Sequence, residues 1–352
     1  LSSPPLSASR TSLAQPRGGE PQPRRRAGAM AEGAEGGGRG PGAGGRAPRV
    51  LVTGATGYLG QFVAARCARA GAEVARAARR AGGAGRGPGE FRVDVASGEG
   101  LAELGRAFGR PDVVVNLAAL SQPRACEADP AAAAAVNVPS ALLDWLGDSL
   151  RDVLFVHAST DQVYPGEHAC SLEGDAARPV NAYGRTKAAA EGEIRRRAPR
   201  HVILRSSIIF GPEPPVPVGR PLFVQWIAGE LRAGRRADFF EDEFRSPIYV
   251  RDWEEVVARL LDLWRGGGEV PCGTFNLGGP ERLSRVDMAA AVARVLGADP
   301  ALVRACPAPP AAERGVASPA DISMLSTALE DALGLRFTPF EAALEETFTG
   351  KV

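Results

Sequence analysis

From Arg49 onward, short apolar runs alternate with longer helical stretches, and this alternation limits the fold more than any other feature. Arg49–Thr53 (RVLVT), Ala72–Ala77, Phe91–Asp94, Asp112–Asn116 (DVVVN), Asp152–Ser159 (DVLFVHAS) and His201–Arg205 (HVILR) read as six successive strands. Tyr58–Ala70, Leu101–Phe108, Asp129–Leu146 and Asn181–Arg197 read as helices between them. Strands that are apolar on every residue are buried on both faces, the habit of parallel strands covered by helices. The expected fold is α/β, a doubly wound parallel sheet. One link departs from the pattern: Arg79–Gly89 (RRAGGAGRGPG) is too glycine-rich to hold a useful helix.

The first strand runs directly into Gly54-Ala55-Thr56-Gly57-Tyr58-Leu59-Gly60, a G-x-x-G-x-x-G turn that opens a helix. In a chain with 43 glycines the spacing alone carries little, but its place between strand and helix gives it weight. Such a turn lets the backbone approach a pyrophosphate at the helix N-terminus, so an NAD(P)-binding Rossmann fold is expected. NAD sites end the second strand with a carboxylate for the ribose 2′-hydroxyl. Here that region reads Arg76-Ala77-Ala78-Arg79-Arg80. Cations suit a 2′-phosphate, so NADP(H) is the expected cofactor, with Arg79 and Arg80 as contacts unless they are merely solvated. Asp94 is expected either at the adenine or as a helix cap.

The strongest chemical signal is a lysine. Of the 42 basic residues only Lys187 and Lys351 are Lys, so a surviving internal lysine hints at a task that arginine cannot perform. Lys187 lies four residues after Tyr183, which puts both side chains on one helix face. An adjacent ammonium favours the phenolate, which would lower the tyrosine pKa toward the range of a working acid. Ser159-Thr160-Asp161 ends the fifth strand on the sheet edge that carries the glycine turn, where ligands of such sheets bind. Thr160 is the preferred residue to orient a substrate carbonyl, with Ser159 in reserve.

Residues 1–48 are Pro, Gly, Ala, Ser and Arg with little to bury, and are expected to be disordered. Met30 as the true start is preferred over an Arg- and Ser-rich plastid transit peptide ahead of it. Residues 49–211 are expected to form the NADP-binding Rossmann domain. Residues 212–352, with Pro-rich loops and a helix at Leu222–Ala233, are expected to form a smaller substrate-binding region that partly returns to the sheet. Forty-two basic residues against 41 acidic give a net charge of +1, which favours neither nucleic acid nor an anionic membrane. No apolar run approaches the roughly 18 residues of a membrane span. Five scattered cysteines and three histidines without ligand spacing argue against metal and for a reducing, cytoplasmic compartment. Cys126 is expected as a buried thiol, the four tryptophans as packing, and Glu241-Asp242-Glu243 as a solvated loop.

With these residues in view the chain resembles an extended short-chain dehydrogenase/reductase. Within that group it is similar to the dTDP-4-dehydrorhamnose reductase (RmlD-type) family. TGATGYLG, Asn116-Leu117-Ala118-Ala119, ASTDQVYPGE, NAYGRTK, FFEDEFRSPIYVRD and the closing RGVASPADISMLSTALEDALG carry the likeness over roughly residues 49–347. The resemblance implies Thr160, Tyr183 and Lys187 as a catalytic triad, with Gly54, Gly57 and Gly60 cradling the pyrophosphate. It adds Thr56, Tyr58, Leu59, Val95, Asn116, Ala118 and Ala119 to the cofactor contacts, which also include Tyr183 and Lys187. Arg205, Tyr249 and Arg251 are candidate substrate contacts. Gln162, Arg245 and Leu325-Ser326-Thr327 depart from the family pattern on the substrate side.

The implied function is NADPH-dependent reduction of a nucleotide-linked 4-keto sugar, with a homodimer left open. The alternative is an NADP-binding regulator like the β subunit of methionine adenosyltransferase, partnered by that enzyme's catalytic subunit. The ending TFTGKV, where that β subunit has a longer tail, weighs against it. An NAD-retaining sugar epimerase would want the missing strand-two carboxylate.

Overall fold

The computed structural model describes residues 46–79 and 89–350. Arg80, Met30, residues 1–45 and the centre of the glycine-rich link lie outside the described residues. Seven parallel strands form the central sheet: β1 (Arg49–Thr53), β2 (Glu73–Ala78), β3 (Glu90–Arg92), β4 (Val113–Asn116), β5 (Leu154–Thr160), β6 (His201–Ser206) and β7 (Gly273–Leu277). Their order is β7-β6-β5-β4-β1-β2-β3, a doubly wound sheet that reverses direction between β1 and β4. At that point the carboxyl ends of the two strands open a crevice.

Successive residues of one strand feed opposite cores, as a two-residue period requires. Val50 and Val52 pack with Val63, Cys67, Trp253 and Trp264 on one face, beside α1 (Tyr58–Arg69). Leu51 packs with Leu104, Phe108, Leu143 and Ile194 on the other, under α2 (Leu101–Phe108). Each such side chain taken from water contributes about 1.5–3 kcal/mol before entropy is counted.

The helix expected over Asp129–Leu146 is broken. A short α3 (Pro123–Ala128) precedes α4 (Pro130–Asn137), and α5 (Ser140–Leu146) follows. Pro139 separates the last two, because it lacks an N–H and keeps Val138 extended. β5 reaches one residue further than expected and takes in Thr160. Next comes α6 (Ala182–Arg197), which carries Tyr183 and Lys187.

Beyond β6, α7 (Phe223–Arg232), α8 (Val250–Arg265) and α9 (Arg285–Leu296) follow. α7, α9 and the helix Phe340–Thr349 enclose a second core around Phe210, Phe239 and Tyr249. Glu243 is not in a solvated loop. It is buried and faces Arg314, Arg245 and Arg285, since a buried carboxylate persists only where cations and donors replace water. Among the described residues, no helix is long and apolar enough to cross a membrane, and no cluster of metal-binding side chains occurs.

Candidate active site

β5 ends at Thr160 and turns at once into a single helical turn, Asp161–Val163. The start of α6 packs on that turn. Asn181 caps the helix, its Oδ1 accepting from the Gly184 N–H at 2.9 Å, while its Nδ2 donates to Gln162 Oε1 at 2.7 Å. A second tether comes from Asn137, whose Nδ2 donates to Thr186 Oγ1 at 2.8 Å and whose Oδ1 accepts from the Leu120 N–H at 2.7 Å. Together these bonds fix α6 against the ends of β4 and β5. Thr160, Tyr183 and Lys187 consequently line one cavity of about 430 Å³ with Gly54, Ser207 and Phe223.

The lysine is buried and the tyrosine half-buried. Burial pushes the Lys187 amine down to about 8, against the pull of Glu191. Tyr183 moves the opposite way from the sequence expectation. Burial raises its phenol well above the ordinary value, which the Thr160 hydroxyl offsets only in part and the Asp161 carboxylate reinforces. The desolvated phenol therefore stays protonated without ligand. The Thr160 hydroxyl donates to Asp161 Oδ1 at 3.0 Å, and the Ser207 hydroxyl to Asp161 Oδ2 at 2.9 Å.

The glycine turn adjoins this cavity and leads into a second one of about 510 Å³, between the ends of β1, β2 and β4. Gly54 has φ +66°, and a Cβ there would lie 2.8 Å from the Ala118 nitrogen. At Gly60 a Cβ would meet the Gly54 carbonyl oxygen at 2.2 Å. Only glycine permits this packing of turn, helix and neighbouring loop. α1 has no side-chain cap and no acidic residue in its first turn, so its free N–H groups favour an anion. Thr56, Arg79, Asp94, Val95, Ala118 and Ala119 line the second cavity. Asp94 Oδ1 accepts from the Ala96 N–H at 2.9 Å, which makes it a turn cap on the cavity wall. The shape and donors fit a dinucleotide pyrophosphate.

Tyr58 and Leu59 line the first cavity, while the Tyr58 hydroxyl donates to the Pro212 carbonyl at 2.9 Å and its ring also packs in the second core. Several other expected contacts face elsewhere. The Asn116 side chain is not in the cofactor cleft; it is buried between Thr53 and His157 because a strand-end amide must satisfy both its polar ends. Arg205 is no substrate contact. Its guanidinium is buried and spans Glu191, at 3.1 and 2.9 Å, and the Tyr164 hydroxyl, at 3.0 Å. Ser159 lines the cavity, yet its hydroxyl donates to the same Glu191 at 2.6 Å. Tyr249 is also withdrawn, its ring tilted against Phe210 in the second core, and Arg251 pairs with Glu254. Cys126 is buried, with its thiol donating to the Leu120 carbonyl at 3.1 Å.

Sequence reasoning passed over His157, Glu191 and Gly184. His157 left a trace, a lone polar residue inside the apolar run DVLFVHAS; Glu191 and Gly184 left none.

The chain is similar to known proteins. The RmlD substrate binding domain family matches residues 48–351. A probable low-salt glycan biosynthesis reductase of Haloferax volcanii is 31% identical over 217 residues, 60% of this chain and 68% of the relative. A probable dTDP-4,6-dihydroxy-2-methyloxan-3-one 4-ketoreductase of Streptomyces antibioticus is 31% identical over 259 residues, 73% of this chain and 80% of the relative. The crystal structure of dTDP-4-dehydrorhamnose reductase from Bacillus anthracis, in complex with NADP, superposes with a TM-score of 0.72 at 19% identity. That match covers 87% of this chain and 100% of the other, and is a likeness of fold. With the family matched from the first strand to the last helix, the chain belongs to the RmlD substrate-binding domain family.

Proposed function

We propose that the chain is an NADP(H)-dependent reductase of a nucleotide-linked 4-keto sugar. The observation that carries this reading is the meeting of Thr160, Tyr183 and Lys187 on a cavity that adjoins the glycine turn. Residues 49–211 hold the cofactor and residues 212–352 supply the substrate side. Gly54, Gly57 and Gly60 admit the pyrophosphate to the N–H groups of α1. Arg79, exposed at the end of β2 where no carboxylate stands, meets the 2′-phosphate. Asp94 and Val95 flank the adenine end. Free cysteines among the described residues fit a reducing, cytoplasmic setting.

When bound, the nicotinamide supplies a hydride. Thr160, turning its hydroxyl from Asp161 toward the substrate, orients the carbonyl oxygen by a hydrogen bond, and Tyr183 gives that oxygen a proton. A phenol kept protonated by burial suits this direction of reaction. Lys187 offers donors to the ribose hydroxyls and faces Tyr183 from one turn along the helix. Arg220 and Phe223 line the outer part of the cavity, where the nucleotide end of the substrate would leave it. The relatives named as a glycan biosynthesis reductase and a dTDP-sugar ketoreductase support the sugar class.

The test is isotopic. Nicotinamide-deuterated NADPH, a TDP-4-keto-6-deoxy sugar and the protein should yield a product with one deuterium on the former carbonyl carbon. A product with no deuterium, or none formed, would overturn the reading for that substrate.

A further inference from the structure

Behind Lys187 a buried chain of hydrogen bonds has its direction fixed from one end. The backbone N–H groups of Leu117 and Ala118 both point at Thr53 Oγ1, at 3.1 and 3.2 Å. With its oxygen so occupied, the Thr53 hydroxyl must spend its single proton on Asn116, 2.6 Å away. Asn116 therefore presents its carbonyl oxygen to Thr53 and its amide nitrogen to His157. That nitrogen lies 3.0 Å from His157 Nδ1, which must accept. His157 is fully buried and held neutral, since burial and the nearby Lys187 both push its pKa well below the ordinary value. A neutral imidazole that accepts at Nδ1 carries its hydrogen on Nε2. Nε2 lies 3.4 Å from Lys187 Nζ.

An N–H thus faces the lysine where an ammonium would need an acceptor. The other groups around Lys187 are Glu191 and Tyr183 on α6 itself and Cys126 from α3. Glu191 and Cys126 favour the charged form, but the Glu191 carboxylate is already taken up by Arg205 and Ser159. We propose that His157 is a positioning residue whose Nε2–H, fixed in that tautomer through Asn116 and Thr53, opposes the Lys187 ammonium and sets the pH at which Lys187 exchanges its proton. The polarity of the relay begins in the backbone of the loop after β4, a wall of the cofactor cleft. A ligand that moves Leu117 or Ala118 would consequently be felt at the lysine. This deepens the reductase reading only in its consequence for turnover; the titration itself does not depend on that reading.

The chain has two lysines and three histidines, so nuclear magnetic resonance can read both ends of the relay in the full-length protein. With lysine labelled at the ε-carbon, Lys187→Met assigns the two signals. Lys187 is expected to titrate near pH 8 rather than near 10.5. Nitrogen-15 shifts of His157, assigned with His168→Gln and His201→Gln, are expected to show the Nε2–H tautomer. Asn116→Asp would accept from both neighbours, reverse the imidazole and raise the Lys187 midpoint by about one pH unit or more. Thr53→Val adds no charge and frees Asn116 to turn over, so it should move the midpoint the same way. The Nδ1–H tautomer in the wild type, an ordinary lysine midpoint, or a shift in the aspartate variant alone would each overturn the proposal. The tautomer decides the matter even if neither variant folds.

Discussion

Gly184 is in contact with the carbonyl of Gln162: a Cβ at residue 184 would lie 2.2 Å from that oxygen and 2.7 Å from Pro179 Cβ. This one missing methyl lets α6 settle against the turn that follows β5, and Tyr183 is the residue beside it. Gly184→Ala should push the helix start outward, at a cost of about 1–3 kcal/mol. The signature is selective. Turnover should fall by more than tenfold while NADPH affinity, set on the far side of the sheet switch, changes little. Parallel assays of kcat and cofactor Kd check it.

Arg205 and Glu191 form a buried ion pair, not a substrate clamp. Arg205→Met should destabilise the protein by about 3–5 kcal/mol, because Glu191 is then left buried without its main partner. The double variant with Glu191→Met should recover a large part of that loss, as urea unfolding would record. Burial works against the Glu191 carboxylate, but hydrogen bonds from Arg205 hold its pKa below the usual 4.5. Its stabilising contribution is therefore complete above that value and is lost as pH falls through the lowered one.

Lys187 gives the same direction of pH dependence, although here folding disfavours the charged form rather than favouring it. Its folded value of about 8 lies below the 10.5 of the unfolded chain, so folding disfavours its proton. Between those two values the unfolded state binds more protons, and stability should rise with pH. Comparison of unfolding curves at about pH 8 and pH 10.5, the limits of that window, with those of Lys187→Met isolates the effect. In the variant the rise should shrink.

Arg79 lines the second cavity at the end of β2, where the 2′-phosphate is expected. Arg79→Ser should weaken NADPH binding by about tenfold, the loss of one charge-assisted hydrogen bond, and leave NADH nearly unchanged. Fluorescence titration with both cofactors measures the ratio.

Thr160 and Ser159 separate by role. Thr160→Ala should lower kcat by about tenfold to a hundredfold and, because it also takes a donor from buried Asp161, cost about 1 kcal/mol of stability. Ser159→Ala removes a donor from Glu191 and should cost a similar stability while leaving kcat nearly unchanged.

The sheet was legible because its strands are apolar on both faces, and the glycine turn and the Tyr183–Lys187 spacing are local in sequence. What was not legible depends on contacts distant along the chain. Arg205 and Tyr249 sit at strand ends that could face either cleft or core, and only the positions of Glu191, Tyr164 and Phe210 decide between them. The family resemblance implied Asn116 as a cofactor contact. Its partners Thr53 and His157 lie on flanking strands, 63 and 41 residues away. The Tyr183 phenol was expected to drop beside a lysine, but desolvation of both groups outweighs their proximity.

The most direct test is NADPH oxidation by the purified protein with a TDP-4-keto-6-deoxy sugar, beside Tyr183→Phe. The account predicts steady turnover that falls by at least about a hundredfold in the variant, with NADPH still bound. Tight NADPH binding with no turnover in the wild type, or turnover that survives Tyr183→Phe, would contradict it.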